Sequence, residues 1–131
     1  MAKQGQHVLE EVPEPVREAI QAAVEEIVSL AAPERVVLFG SYASGEADQD
    51  SDIDLLVVAR TNNRWRLAAK LYLAWHDMRR RLPMLPTADI IVLTPRQFDK
   101  AASTVGFIPY EAVHTGVILY ERPGERSEVA G

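Results

Sequence analysis

The chain has 131 residues, of which 47% are hydrophobic and 25% charged, with a formal net charge of −5. That is the size of one domain with one core, in a composition typical of folded rather than disordered protein. The acidic balance argues against a protein whose main task is gripping a nucleic-acid backbone, which needs clustered positive charge. Cysteine is absent, which excludes disulfides, thiolate zinc sites and a cysteine nucleophile and fits a reducing compartment. No apolar run approaches the ~18–20 residues that span a bilayer. The first residues, with Glu10, Glu11 and Glu14, hold no apolar signal segment. The expectation is a cytoplasmic protein with one domain over 1–131, a flexible N-terminal arm 1–12 and a flexible C-terminal tail 122–131.

In chain order, Pro13-Glu14-Pro15 opens the first helix, because a proline's missing N–H is harmless in a first turn. Val16, Ile20, Ala23, Ile27 and Leu30 recur at helical spacing, and Pro33 ends the helix at about Ala31. Arg35 to Phe39 is a β-branched run and reads as a buried strand. A Gly/Ser/Asp-rich stretch runs from Gly40 to Ser51, and Ile53 to Val58 is a second strand. Thr61-Asn62-Asn63 is a turn and an N-cap region. Leu67, Leu71, Ala74/Trp75, Met78 and Leu82 then mark a second amphipathic helix, broken by Pro83 and Pro86. Ala88 to Leu93 is a third strand, and Pro95 starts a short helix through Phe98. A further helical turn is expected over Tyr110 to His114, stopped by Gly116, before a fourth strand, Val117 to Tyr120. The order α-β-β-α-β-α-α-β gives an α/β or α+β fold, a small mixed sheet with flanking helices. It names no function by itself.

The chemistry concentrates in Gly40-Ser41, then ten residues, then Asp52-Ile53-Asp54. Strand alternation puts Asp52 and Asp54 on one side, with Ile53 on the other. Two adjacent carboxylates repel, and either take up a proton or bind a hard cation such as Mg²⁺. These acids interrupt an apolar strand, the kind of local conflict expected at functional sites. Asp89, opening the third strand, adds another carboxylate if the two strands are neighbours. Three carboxylates could hold two Mg²⁺ roughly 3.5–4 Å apart, the arrangement that serves an in-line phosphoryl displacement. Gly40 would let backbone N–H groups approach a phosphate, and the Ser41 hydroxyl could donate one more hydrogen bond.

Several near matches fail. Counting from Asp48, Ile53 stands where a calcium-binding EF-hand loop needs glycine. After Gly40-x₄-Gly45, Glu46-Ala47 stands where a P-loop needs Lys-Ser/Thr. No G-x-S-x-G elbow surrounds Ser41 or Ser44. His7, His76 and His114 are scattered singly.

Leu38 to Ala47, then Ser51 to Val57, resembles the motif of the minimal nucleotidyltransferase family, in the DNA polymerase β-like superfamily. Gly116 to Glu121 is similar to that family's last strand, so the resemblance covers Pro33 to Glu121. It implies a small nucleotidyltransferase fold, Mg²⁺ (two ions), and transfer of a nucleotide from a triphosphate, usually ATP. By position, Gly40 and Ser41 would hold the triphosphate. Asp52 and Asp54 would ligate metal, and Asp89 would be the third ligand and help deprotonate the acceptor hydroxyl. Many relatives have Arg at the place of Tyr42 or Ser44. Family members of this size are often antitoxins paired with a HEPN-domain toxin, which they silence by adenylylating it or binding it.

The expectation is therefore AMP transfer from ATP to a hydroxyl of a partner protein. Pro33 to Glu121 leaves little chain for a separate acceptor-binding domain. Neither membrane nor direct nucleic-acid binding is expected, and a homo- or hetero-oligomer is possible. Two rivals are a non-catalytic module that neutralises a HEPN partner by contact, and a transferase for a small, aminoglycoside-like acceptor. Arg64, Arg66 and Lys70 could meet the leaving pyrophosphate or form a solvated helix face. Trp65, Tyr72 and Leu73 lie off the core stripe and could be a partner patch or simply buried. Arg79-Arg80-Arg81 could meet acid on a partner or RNA, or end a helix in solvent.

Overall fold

The computed structural model describes residues 3–4, 9–102, 112 and 114–124. The periodic apolar residues after Pro13 form helix α1 (Glu14–Ala31), which has proline in its first turn and buries Ala19, Ile20, Ala23, Val24 and Ile27. Ala32 ends it with φ 45°, a left-handed conformation, and its N–H donates to the Val28 carbonyl. Pro33 follows, and the Ala32 carbonyl accepts from the Arg122 guanidinium.

The strands are β1 (Lys3–Gln4), β2 (Arg35–Phe39), β3 (Ile53–Val58), β4 (Ala88–Leu93) and β5 (Val117–Glu121), in spatial order β1-β5-β2-β3-β4. The β2–β3 and β2–β5 pairs are antiparallel, while β3–β4 and β1–β5 are parallel. The sheet is therefore mixed, with flanking helices, as expected. From Leu55 to Val58, β3 is buried on both faces, which is why that part of its sequence is a continuous apolar run.

Between the strands lie α2 (Ser41–Ser44), α3 (Arg64–Arg81) and α4 (Pro95–Ala102). Helices α1 and α3 cover one face of the sheet, packing Ile20, Ile27, Leu71, Trp75 and Met78 against Val36, Leu38, Leu55 and Val57. On the other face, Phe98 and Ala101 of α4 pack with Val37, Phe39, Leu56 and Val58. A buried side chain of this kind contributes ~1.5–3 kcal/mol.

Helix α3 starts as its sequence implies, with the Asn63 side chain accepting from the Arg66 N–H at 3.0 Å. It also holds the backbone that leads into β4. Trp75 Nε1 donates to the Pro86 carbonyl at 2.8 Å, and Arg79 Nε donates to the Leu85 carbonyl at 2.9 Å. The Ile90 N–H donates to the Tyr72 hydroxyl at 2.8 Å, and Arg64 donates to the Val92 carbonyl at 3.4 Å. These side chains occupy part of the outward edge of β4, which would otherwise offer unpaired backbone.

Three sequence expectations differ. The arm 1–12 is not loose throughout: Lys3–Gln4 pairs with β5, and Leu9 is buried with Ile20 and Tyr42 in the core. A mostly polar segment whose few apolar residues, such as Val8, Leu9 and Val12, follow no regular repeat does not reveal this. The Gly40–Ser51 stretch contains the one-turn helix α2, and α4 runs past Phe98 to Ala102. The expected turn Tyr110 to His114 lies largely outside the described residues; Ala112, His114 and Thr115 are helical. Most of the expected flexible tail also lies outside them, while the Arg122 N–H is tied to the Glu34 carbonyl at 2.9 Å.

The buried indole of Trp75 generates a prediction. Trp75→Phe keeps an aromatic ring but leaves the Pro86 carbonyl without its donor. We expect a stability loss of about 1–3 kcal/mol, measured by urea unfolding.

Candidate active site

The Gly40 turn begins where β2 ends. Gly40 has φ 77° and ψ −154°, a region open essentially to glycine. A Cβ there would collide with Asp54 Oδ2 and sit 3.0 Å from Asp54 Cγ. The backbone at Gly40 thus lies directly against the Asp54 carboxylate. Chain turning is completed by α2, where the Ser41 carbonyl accepts from the Glu46 N–H at 2.9 Å and the Ser44 hydroxyl at 3.1 Å.

Register aligns the acids. Phe39 of β2 is the partner of Asp54 in β3, and Asp54 is the partner of Asp89 in β4. Paired residues share a face, so Phe39, Asp54 and Asp89 form one row across three strands at one end of the sheet. Asp52 precedes β3, and its Oδ1 accepts from the Thr87 hydroxyl just before β4. The Ile53 N–H donates to the Thr87 carbonyl at 2.8 Å, continuing the ladder to that point. Asp89 Oδ1 accepts from the Tyr72 hydroxyl at a long 3.4 Å.

Asp52 and Asp89 are exposed, Asp54 is half-buried, and Ile53 between Asp52 and Asp54 is fully buried. The alternation expected from the sequence is present. Burial, followed by the charges of Asp89 and Asp52, pushes the Asp54 carboxyl above its ordinary 3.8. The donor set is entirely hard oxygen, suited to Mg²⁺ rather than to a softer metal. Among the described residues, no three acidic or histidine side chains already close around a single point as a cation cage.

Gly40, Ser41, Asp52, Asp54 and Asp89 are thus gathered at one end of the sheet. The cationic candidates are not. Arg64 donates to Val92, near the opposite end of β4, and stacks on Trp65 at 4.5 Å. Arg66 and Lys70 are exposed on α3. Asp48 makes the loop instead of a site: its carboxylate accepts from the Asp50 N–H and the Ser51 hydroxyl. Tyr72 and Thr87, which engage two of the acids, were missed as site residues. For Thr87 the sequence holds no signal; Tyr72 stood out only as an aromatic off the core stripe.

A cleft of about 360 Å³ is bounded by Tyr42, Ser51, Arg79, Leu85, Pro86 and Thr87. A second, of about 310 Å³, lies beyond Tyr42, toward Glu11 and Asp48. Tyr42 is buried between them, and burial, then the charge of Asp48, pushes its hydroxyl pKa up, so it remains a protonated donor.

A model of the nucleotidyltransferase domain family matches residues 18–121, a span that contains every one of these site residues. The chain belongs to that family, as the resemblance of its Gly-Ser and Asp-x-Asp segments implied. It is 52% identical over 27 residues to a Methanocaldococcus jannaschii protein provisionally named a protein adenylyltransferase, MJ0141. That stretch is 21% of this chain and spans 27% of the relative's length. A solved Sulfolobus solfataricus structure, provisionally named a nucleotidyltransferase, is 25% identical with a TM-score of 0.48, covering 91% of each chain. A chain from a toxin–antitoxin structure with AMP-PNP is 26% identical with a TM-score of 0.48, over 79% of this chain and 74% of that one. Among the described residues, no helix is long and apolar enough to cross a membrane.

Two predictions follow from the crowding at Asp54. The folded state holds a proton on Asp54 more tightly than the unfolded chain does. Stability therefore falls as pH rises from 3.8 through the raised value, and the penalty is fully present at neutral pH. Asp54→Asn should unfold at a higher urea concentration than the parent at pH 7, and the two midpoints should converge below pH 3.8. Gly40→Ala should cost roughly 1–3 kcal/mol from backbone strain alone, and more from the clash with Asp54. In the same urea assay Gly124→Ala should cost less, since a Cβ at Gly124 meets nothing within 4 Å.

Proposed function

We propose that this end of the sheet transfers AMP from ATP to a hydroxyl of a partner protein. The observation that carries the reading is the Asp54–Asp89 register pair, with the bare backbone of Gly40 against Asp54. Such mutually unfavourable carboxylates are typical of a site built to receive positive charge. The family match supports nucleotidyl transfer, and the name of the M. jannaschii relative supports a protein as acceptor.

Asp52, Asp54 and Asp89 would hold Mg²⁺, two ions in our reading, which neutralise triphosphate charge and polarise the α-phosphate. To close on a cation, Asp52 and Asp89 would turn from the hydroxyls of Thr87 and Tyr72. The Gly40 turn would present backbone N–H groups to the triphosphate, and the Ser41 hydroxyl would donate to a phosphate oxygen. The acceptor oxygen bonds to the α-phosphorus as the bond to the bridging oxygen of the β-phosphate breaks. Pyrophosphate leaves, and the acceptor's proton passes to the carboxylate of Asp89. Most of the rate gain comes from positioning and charge neutralisation.

The partner we assign is a HEPN-domain toxin, with this chain as its cytoplasmic antitoxin. That assignment rests on the resemblance of the 38–57 segment to minimal nucleotidyltransferases. The test uses ATP labelled on the α-phosphate, Mg²⁺ and the protein encoded by the adjacent gene. Label should move to that protein, and Asp52→Asn should cut the transfer by roughly 10²-fold or more. A tight complex that Asp52→Asn forms equally well, without label transfer, would support the contact-only module instead. Label on a small alcohol or sugar would support a small-molecule transferase.

A further inference from the structure

The apolar residues of α3 divide into two stripes. Leu71, Trp75 and Met78 are buried in the core. Trp65, Ala69 and Tyr72, at i, i+4 and i+7, lie on the outward side with Leu73 beside them, and all are exposed. Among the described residues, the exposed large hydrophobic side chains are Trp65 (72%), Leu73 (72%), Tyr72 (40%) and Met84 (44%). Three stand on the outward face of one helix, and Met84 is in the turn that follows it. A helix needs only one such stripe to pack on its own sheet.

Charge on α3 runs against that of the chain. Arg64, Arg66, Lys70, Arg79, Arg80 and Arg81 are six of the fourteen Lys and Arg residues, while Asp77 is the helix's single acid among nineteen. Asp77 pairs with Arg80 and Arg81, and Arg64 lies over Trp65. The stripe is therefore an apolar seam bordered by cations on a chain of net charge −5. It is also continuous with the acid end of the sheet, because the Tyr72 hydroxyl reaches Asp89 and the Ile90 N–H.

We infer that the outward face of α3 docks the acceptor protein, and that this protein offers an apolar groove bordered by carboxylates. The inference rests on the transferase reading only in taking the docked protein to be the acceptor. A protein seated on this face covers Tyr72, whose hydroxyl touches Asp89, so one surface both selects the acceptor and brings its hydroxyl toward the site. Charge complementarity would speed encounter and set specificity, while the aromatic anchors supply affinity. A second copy of this chain fits poorly, since pairing α3 with α3 sets Arg66, Lys70 and Arg80 against their like. Nucleic acid fits less well than protein, because the middle of the seam is the aliphatic pair Ala69 and Leu73 rather than a run of stacking rings.

The two tryptophans allow a binding test without ATP or metal, so it stands or falls separately from AMP transfer. Trp65 is exposed and Trp75 is 2% exposed, so a change in emission on docking comes from Trp65. The full chain is titrated with a synthetic amphipathic helical peptide bearing Leu on one face and Glu along its borders. A matched peptide with Lys for Glu and poly(U) RNA serve as comparisons. We expect a saturable blue shift with the Glu peptide and none with the Lys peptide or poly(U). Leu73→Glu and Arg66→Glu, both at exposed positions, should each weaken the response about tenfold or more, and Glu25→Ala on α1 should leave it unchanged. A preferential response to poly(U), equal responses to both peptides, no response to the Glu peptide, or self-association by sedimentation that Leu73→Glu abolishes would overturn the inference.

Discussion

Parallel pairing of β3 and β4 aligns Asp54 with Asp89, and most of what is distinctive in this structure depends on that alignment. The same ladder puts Leu55, Val57, Ile90 and Val92 into one core face, so the register that buries the apolar residues also forces the two carboxylates into one row. A one-residue slip would separate the acids, but it would also exchange the side chains packed under α1 and α3 with those packed under α4. The core therefore stabilises an electrostatic arrangement that is unfavourable by itself. Gly40 completes it: a backbone without a Cβ is what allows the turn after β2 to lie against the Asp54 carboxylate.

Parallel neighbours need a crossover, and here it is α3. The helix does more than connect. Its inner stripe fills the core, and Trp75 of that stripe, with Arg79, holds the backbone of 85–86. That backbone leads to Thr87, whose hydroxyl engages Asp52, and to Asp89, which Tyr72 touches. Packing, loop placement and the orientation of two carboxylates thus run through one helix. A change on its inner face should reach the acids without any direct contact with them.

Much of this was legible in the sequence. Arg35–Phe39, Ile53–Val58 and Ala88–Leu93 stood out as strands because each holds a run of four apolar, largely β-branched or aliphatic residues and is bounded by polar or proline-containing segments. Asp52 and Asp54 stood out because acids at alternate positions at the mouth of an apolar strand conflict with the pattern around them. Other features left no local trace. Strand order and the Asp54–Asp89 register are non-local, and a two-residue strand such as Lys3–Gln4 has no period. Thr87 is an ordinary residue before a strand and acquires meaning only when Asp52 is placed beside it. Arg64 stood open between two readings for a similar reason: a cation at the start of a helix is compatible with phosphate binding until the strand next to it is known.

The central claim is that the three acids and the Gly40 turn make one divalent-cation-dependent nucleotide site. The most direct measurement is electron paramagnetic resonance of Mn²⁺, standing in for Mg²⁺, with an ATP analogue that cannot be cleaved between the α- and β-phosphates. The account predicts that Mn²⁺ is held tightly only when the analogue is present, and that Asp54→Asn abolishes the bound signal. Tight analogue binding without any divalent cation, or a bound Mn²⁺ signal unchanged in Asp54→Asn, would contradict it.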